Sequence, residues 1–245
     1  GVFGDDLGAS WTSPVPLVQD DPLPRGPVKN KLLVMSNGEW LAPGSTEDDR
    51  HWDACVDISG DHGLHWQCHG IPLVHIAPVS HAENQLWQGL QRNALWESEL
   101  NRVFQWDGVI QPAAWESAPG HIHLLMRSTR GFLYRSDSED FGRHWSPAYA
   151  TTVPNNNSGI DVVRTPDNTL VLACNPVGNN WGQRTPLSLL VSHDNGAHWE
   201  TGLVIEQEEG EFSYPALTCN GDQLALTYTW NRKNIVYCAV TWRKS

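Results

Sequence analysis

Residues 138–145 read Ser-Glu-Asp-Phe-Gly-Arg-His-Trp, and this stretch decides the fold class. Its pattern, Ser-x-Asp-x-Gly-x-x-Trp, recurs at residues 59–66 and 192–199, and a degenerate copy with glycine in place of serine occupies residues 4–11. Serine and aspartate side chains bond nearby main-chain amides, and glycine adopts the positive φ of a tight turn. We therefore interpret this box motif as a structural turn and assign no catalysis to its aspartates.

The tryptophans of the four copies indicate a repeat. Trp11, Trp66, Trp145 and Trp199 are separated by 55, 79 and 54 residues. A unit near 55 residues, with one insertion, falls in the range of β-propeller blades. We predict an all-β fold, a β-propeller of four-stranded antiparallel blades with about four blades' worth of chain, in one domain over residues 1–245.

Apolar runs bounded by turn residues predict strands on both sides of the box motifs. The predicted strands are Lys31–Met35, Trp40–Ala42, Ala54–Ser59, Ile122–Arg127, Phe132–Ser136, Leu170–Cys174, Leu187–Val191, Leu224–Thr229 and Ile235–Val240. A further strand is expected over Trp11–Val18, and a weak helical period marks Ala82–Arg102. The chain starts with a box and stops after a strand that a box should follow. Its two terminal pieces therefore either share one blade or belong to a propeller with further blades before Gly1.

The composition narrows the class of protein. Thirteen Trp, 21 Gly and 16 Pro are typical of many short strands joined by tight turns. The formal net charge of −12 argues against nucleic acid as a partner, because that binding needs lysine and arginine on phosphates. No apolar run reaches the roughly 18 residues of a membrane span. The five cysteines have no C-x-x-C spacing, so we expect neither a disulfide framework nor a metal site, and no cofactor motif occurs.

Four further segments, in this order, resemble the sialidase superfamily, in its bacterial and plant sialidase-like branch of box-repeat proteins. They are Gly108–Pro112, Asn155–Asp161, Arg184–Leu187 and Glu211–Pro215. The resemblance covers the chain from about Gly26 onward. It implies a six-bladed propeller that cleaves terminal sialic acids with retention. It also implies three arginines on the substrate carboxylate, a tyrosine nucleophile activated by a glutamate, and an aspartate acid/base.

The chemistry explains these residue types, since a planar guanidinium binds a carboxylate in a bidentate manner and a carboxylate can take the proton of a tyrosine nucleophile. By the resemblance, Tyr214 is the nucleophile and Glu116 its activator. Arg127 and Arg184 are the carboxylate-binding arginines, with Arg130 as a neighbouring candidate. Three of these residues have a structural alternative: a strand aromatic for Tyr214, an exposed loop acid for Glu116, and packing on an aromatic ring for Arg184.

A polar cluster at a predicted blade entrance adds two candidates. Asn157 and Asp161 lie in the run Asn-Asn-Asn-Ser-Gly-Ile-Asp. Turn formation explains such residues, and side-chain amides also suit sugar hydroxyls. We include both as candidate substrate-binding residues.

The sequence departs from the family pattern in two respects. Two features of the family do not occur in this sequence. One is the first of the three carboxylate-binding arginines, with its Phe-Arg-Ile-Pro context, and the other is a recognisable acid/base aspartate. We expect both to lie in N-terminal blades before Gly1, which leaves the catalytic set of these 245 residues incomplete. His121 and His123, two residues apart on a predicted strand, keep lyase chemistry open as an alternative.

The leading hypothesis is an exo-acting glycoside hydrolase of sialidase-like type that removes a terminal carboxylate-bearing sugar, sialic acid or similar, from glycans. One alternative is a polysaccharide lyase or other glycosidase acting on uronic-acid-containing glycans. The other is a non-catalytic carbohydrate-binding propeller. In each case the expected partner is a glycan or a sugar acid.

Overall fold

The structure is a computed structural model that describes residues 4, 6–16, 18, 29–75 and 106–242. Within these ranges the regular structure consists of fifteen β-strands, without a helix. The prediction of an all-β fold is therefore confirmed. The strands form four groups, in which strands adjacent in sequence pair antiparallel.

The first two strand groups form one sheet. The first group consists of β1 (Leu33–Val34), β2 (Trp40–Glu47), β3 (His51–Ser59) and β4 (Gln67–Gly70). The second consists of β5 (Asp107–Ala118), β6 (His121–Ser128), β7 (Phe132–Ser138) and β8 (Tyr149–Pro154). A short parallel pairing between β3 and β5 joins them into an eight-stranded sheet.

The last two strand groups form separate sheets. The third group consists of β9 (Asp161–Arg164), β10 (Leu170–Cys174), β11 (Leu187–Ser192) and β12 (Glu200–Glu206). The fourth consists of β13 (Phe212–Asn220), β14 (Gln223–Trp230) and β15 (Asn234–Thr241). Strands β10 and β11 are buried at every position, which is why their sequence reads as continuous apolar runs rather than as an alternating pattern.

Most of the predicted strands occur at or near their expected positions. The strand expected over Trp11–Val18 is wrong for residues 11–16, which belong to no strand. A strand needs a hydrogen-bonded neighbour, and none of the described strands pairs with this segment. The helical period at Ala82–Arg102 lies outside the described residues.

Each complete box motif forms the turn between the third and fourth strands of its group. In the second group the Ser138 hydroxyl donates to Asp140 at 2.9 Å, and the other oxygen of Asp140 lies 2.5 Å from His144 Nδ1. Asp61, Asp140 and Asp194 each accept a bond from the main-chain amide four residues later, at 2.8, 2.9 and 2.9 Å. The degenerate copy forms the same turn, since Asp6 accepts from Ser10 N at 2.9 Å. The interpretation of the box aspartates as turn builders is confirmed.

Apolar side chains fill the space between successive strand groups. One cluster, around Leu41 and Leu124, lies between the first and second groups. A second cluster, around Leu133 and Leu172, joins the second and third groups, and a third, around Leu189 and Leu226, joins the third and fourth. The second and third groups therefore bury both faces against their neighbours, whereas the first and fourth groups each bury one face against a described neighbour.

Because neighbouring strands of a group run in opposite directions, the connections between them lie at two opposite ends of the group. Turns that follow odd-numbered strands lie at the end that carries the box motifs, here called the box end. Turns that follow even-numbered strands lie at the opposite end, here called the loop end. The described loop-end connections include residues 48–50, 129–131, 155–160, 175–186, 207–211 and 231–233.

Candidate functional site

Tyr214 lies on a β-bulge at the loop end of β13. Pairing with β14 skips Tyr214 and Pro215 together, so two residues of β13 oppose one residue of β14. Tyr214 has a φ of +52°, a left-handed conformation that costs a non-glycine residue about 1–2 kcal/mol. The residue nevertheless keeps 40% of its surface exposed, so a ligand can reach it.

Arg127 extends from the loop end of β6 and is buried. Its Nη1 donates to Gln111 Oε1 at 3.1 Å, and its Cζ lies 5.5 Å from the centre of the Trp52 ring. Its positive charge also interacts with the Tyr214 hydroxyl. Burial lowers the pKa of Arg127, but guanidinium groups stay protonated in proteins, so the site holds a buried positive charge.

Arg184 reaches the same tyrosine from the loop 175–186. It is buried, and its Cζ lies 5.1 Å from the centre of the Tyr214 ring. Its Nη1 donates to Glu211 Oε1 at 2.9 Å and to Ser213 Oγ at 3.3 Å. The positive charge of Arg184 also interacts with the Tyr214 hydroxyl. The structure thus brings together Tyr214, Arg127 and Arg184, three of the residues predicted from the sequence.

The two guanidiniums change the acidity of the phenol between them. Burial alone would raise the pKa of the Tyr214 hydroxyl, because it disfavours the charged phenolate. The positive charges of Arg127 and Arg184, and their hydrogen bonds, outweigh burial and lower this pKa. A lowered pKa increases the fraction of phenolate, which is the form that acts as a nucleophile or a base.

Gln111 belongs to this site and was missed in the sequence analysis. It is buried, accepts the bond from Arg127 and has a φ of +54° on a bulge of β5. A sequence signal did exist, because Gln111-Pro112 and Tyr214-Pro215 are both X-Pro steps at the start of the first strand of a group. Glu211, which binds Arg184, lies in one of the segments quoted for the resemblance but was not assigned a role.

Glu116 lies at the box end of β5, away from Tyr214. It accepts hydrogen bonds from Ser36 N and Ser36 Oγ, both at 2.7 Å, and from Gly120 N at 2.9 Å. Its partner on β6, Ile122, precedes Arg127 by five residues, or about 17 Å of strand. The structure therefore does not bring Glu116 together with Tyr214. The carboxylate instead holds the β1–β2 turn against the β5–β6 turn.

Arg130 also points to a different partner. Its Nε and Nη2 donate to the two oxygens of Asp107 at 2.9 and 2.8 Å, and Nη2 donates to Val74 O at 2.9 Å. Its Cζ lies 5.4 Å from the centre of the Tyr134 ring. This bidentate pair fixes the beginning of β5, so the structure does not place Arg130 with Arg127 at Tyr214.

Asn157 and Asp161 are buried at the loop end, where their contacts are with the protein itself. Asn157 has a φ of +60°, and its Nδ2 donates to Asn180 Oδ1 at 2.8 Å, which joins two loop-end connections. Asp161 accepts from Lys31 Nζ at 2.6 Å and from Leu217 N at 2.7 Å, which ties β9 to β13. Both residues support the loops that carry Arg184 and Tyr214.

A separate polar cluster, centred on His123, lies at the box end. His123 Nδ1 lies 2.5 Å from Asp137 Oδ1, and its Nε2 lies 2.7 Å from Ser117 Oγ. Arg135 binds the same aspartate oxygen at 2.8 Å and donates to Asn195 O of the next box turn at 2.7 Å. These contacts link the second strand group to the third, and His121, which is exposed, lies outside them.

The described ranges contain no group of three or more His, Cys, Asp or Glu side chains arranged to hold a metal ion. The described residues form no helix, so no helix among them is long and apolar enough to cross a membrane.

Comparisons with known proteins agree with this architecture. Residues 2–226 match the family model described as a BNR repeat-like domain, and the chain belongs to this sialidase-like family of BNR-repeat proteins. No curated protein matches the sequence.

Solved structures show the same fold at low sequence identity. A protein of unknown function from Dyadobacter fermentans superposes with a TM-score of 0.68 at 15% identity, over 99% of this chain and 63% of that one. NanB sialidase from Streptococcus pneumoniae gives 0.65 at 13%, over 98% and 35%. The intramolecular trans-sialidase from Ruminococcus gnavus gives 0.62 at 14%, over 98% and 49%. The chain thus spans less than two thirds of each of these relatives.

Proposed function

We propose that this chain carries part of the active site of an exo-acting, sialidase-like glycoside hydrolase that removes a terminal carboxylate-bearing sugar. The observation that carries the proposal is the Tyr214 hydroxyl, held by two buried guanidiniums at an exposed position. Membership of the sialidase-like family supports the same substrate class.

In this proposal Arg127 and Arg184 bind the sugar carboxylate. Guanidiniums match a carboxylate in shape and charge, and a partly buried site strengthens the pair. Bound in this way, the sugar presents its anomeric carbon to the Tyr214 oxygen. The phenolate attacks that carbon, the glycosidic bond breaks, and the departing oxygen takes a proton. Water then attacks the tyrosyl intermediate and restores the phenol.

The activation of Tyr214 is assigned to its two arginines rather than to Glu116. Glu116 is bound at the other end of β5, whereas Arg127 and Arg184 both lower the pKa of the phenol. Two fixed positive charges stabilise a phenolate in advance of the reaction, as preorganised groups do in active sites.

The strand groups are proposed to be blades of a propeller. Three groups have four antiparallel strands with a box turn between the third and fourth, and successive groups pack face to face. The predicted propeller blade has this layout. In a six-bladed ring of this family, the loop ends of all blades surround one opening of the ring, and Tyr214 and the arginines lie at that end.

The same geometry supports a second candidate, elimination from a uronic-acid-containing glycan. Neutralising a uronate carboxylate with two arginines makes the adjacent C–H more acidic, and a phenolate of lowered pKa can remove that proton. A third outcome, sugar binding without turnover, corresponds to a carbohydrate-binding propeller.

A turnover assay separates these three functions. The full-length protein is incubated with fluorogenic sialosides and with uronic-acid polymers, and both free sugar and unsaturated product are measured. We expect sialoside hydrolysis that falls at least about 100-fold in Tyr214→Phe, because the nucleophile is lost. The matched control is Tyr237→Phe, an exposed tyrosine on β15, which should retain full activity. Unsaturated product would favour the lyase, and hydrolysis that survives Tyr214→Phe would overturn the proposal.

A further inference from the structure

Two X-Pro steps occupy matching places on the first strands of the second and fourth groups. Gln111-Pro112 on β5 and Tyr214-Pro215 on β13 both lie on bulges. The residue before each proline has a left-handed φ, +54° and +52°. The two bulges therefore present Gln111 and Tyr214 to the same guanidinium, that of Arg127.

A bulge takes main-chain carbonyls out of the strand ladder, so they need other donors. At the β5 bulge the donor is Asn30, whose Nδ2 bonds Gln111 O at 2.9 Å and Pro112 O at 2.8 Å. Asn30 is buried and lies three residues before the start of β1. One side chain thus satisfies two carbonyls of this bulge.

At the β13 bulge the donor is Lys29, the residue before Asn30. Its Nζ donates to Pro215 O at 2.7 Å, to Ile160 O at 2.7 Å and to Asn30 Oδ1 at 3.0 Å. All three ammonium protons have acceptors, as burial of an ammonium requires. Burial is also the main cause that lowers the pKa of Lys29 to about 8.

Lys29 and Tyr214 both pack against Gly159. A Cβ atom placed on Gly159 would lie 2.7 Å from Lys29 Cε and 3.1 Å from Tyr214 Cδ1. Neither side chain leaves room for a methyl group there. The lysine stem, the glycine and the tyrosine ring therefore form one close-packed contact beside the bulge.

We propose that Lys29 is a positioning residue, which holds the Tyr214-Pro215 bulge so that the Tyr214 hydroxyl lies between Arg127 and Arg184. It acts on Tyr214 through the Pro215 carbonyl and through packing on Gly159. The kinetic consequence of this role rests on the proposed function, but the positioning itself does not.

The test measures the titration of the Tyr214 hydroxyl in Lys29→Met. NMR of isotope-labelled tyrosine monitors this titration, and Tyr214→Phe identifies the signal of Tyr214. Arg127 and Arg184 are the charges that lower this pKa, so a change caused by removing Lys29 reports a displaced phenol. We expect the pKa of Tyr214 to rise toward that of an ordinary tyrosine, and Lys29→Arg to restore part of the shift. An unchanged titration in a folded Lys29→Met protein overturns the proposal.

Lys31→Met is the control for charge removal. Lys31 binds Asp161 at 2.6 Å and Val162 O at 3.0 Å, and neither atom belongs to the bulge. Its removal should leave the Tyr214 titration unchanged, and an equal effect of both variants would contradict a specific role for Lys29. If Lys29→Met does not fold, Lys29→Gln carries the same test with a neutral amide in place of the ammonium.

In an active enzyme, Lys29→Met should lower kcat by about 100-fold with a smaller change in KM, because a displaced reacting group costs turnover more than binding. The two proposals can fail separately. If the parent chain turns over no substrate, the titration still decides whether Lys29 positions Tyr214. If turnover is present but the titration does not move, the proposed function stands and the positioning role falls.

Discussion

The two arginines that bind Tyr214 differ in their other partners. Arg127 also binds the neutral amide of Gln111, whereas Arg184 also binds the Glu211 carboxylate, which Arg232 shares at 2.8 Å. Arg184 is therefore paired directly with a carboxylate, whereas the carboxylate of Glu47 acts on Arg127 only through its charge. In the lowering of the Tyr214 pKa, the charge of Arg127 contributes more than that of Arg184.

A substitution of Glu116 tests, at the level of a single residue, whether this carboxylate takes part in catalysis. We expect Glu116→Gln to leave the kcat of the proposed hydrolase unchanged, because the carboxylate binds Ser36 and Gly120 rather than Tyr214. The substitution weakens charge-assisted bonds in two turns, so the free energy of unfolding should fall by about 1–2 kcal/mol. Turnover assays and urea denaturation measure the two effects. A large loss of kcat in a fully stable protein would restore Glu116 as the activator.

Tyr214 and Arg184 could be predicted from the sequence because each lies in a segment that resembles the family, and Arg127 because it ends the apolar run Ile122–Met126. The positions of Glu116 and Arg130 could not be predicted, since they depend on strand direction and on competing partners. Glu116 follows the strand to the box end, and Asp107 binds Arg130. The role of Lys29 could not be predicted either, because it depends on carbonyls freed by a bulge that is distant in the sequence.

At the scale of elements, the box motif shows which parts of the fold are locally determined. The turn around Asp6 forms although residues 11–16 belong to no strand. Its bonds run between residues four apart, so the turn needs no neighbouring strand. A strand depends on pairing, which is why turns were predicted more reliably than the strand at Trp11–Val18.

The box turns also pack between strand groups. Substitutions of two glycines, one in a box turn and one outside, can test this packing. Gly142 and Gly221 both have positive φ, but a Cβ on Gly142 would lie 2.9 Å from Leu41 Cδ1, whereas Gly221 has open space. We expect Gly142→Ala to lower the free energy of unfolding by about 1–3 kcal/mol more than Gly221→Ala, because only the first overpacks a core. Urea denaturation of both variants measures the difference. Equal losses would mean that the box turn does not pack tightly against the first group.

At the scale of the whole molecule, the charge of the site contrasts with that of the chain. The chain carries a formal net charge of −12, yet its loop-end site concentrates cationic side chains: Lys29, Lys31, Arg127, Arg184 and Arg232. Asp161, Glu211 and Glu47, whose charge acts on Arg127, offset only part of this charge. An acidic surface repels long polyanions, while a local cationic site attracts a single carboxylate. Under the proposed function, this arrangement favours a terminal sugar acid on an otherwise neutral glycan.

The most direct test of the account is whether the site recognises a carboxylate. Calorimetric titration compares sialic acid with its methyl ester, and glucuronic acid with its methyl ester, on the parent chain and on Arg127→Met. We predict that at least one acid binds about tenfold or more tightly than its ester, since hydrogen bonds to charged groups are worth about 1.5–3 kcal/mol. Arg127→Met should abolish this preference. Equal binding of acid and ester in both pairs, or an acid preference that survives Arg127→Met, would contradict the carboxylate site at Tyr214.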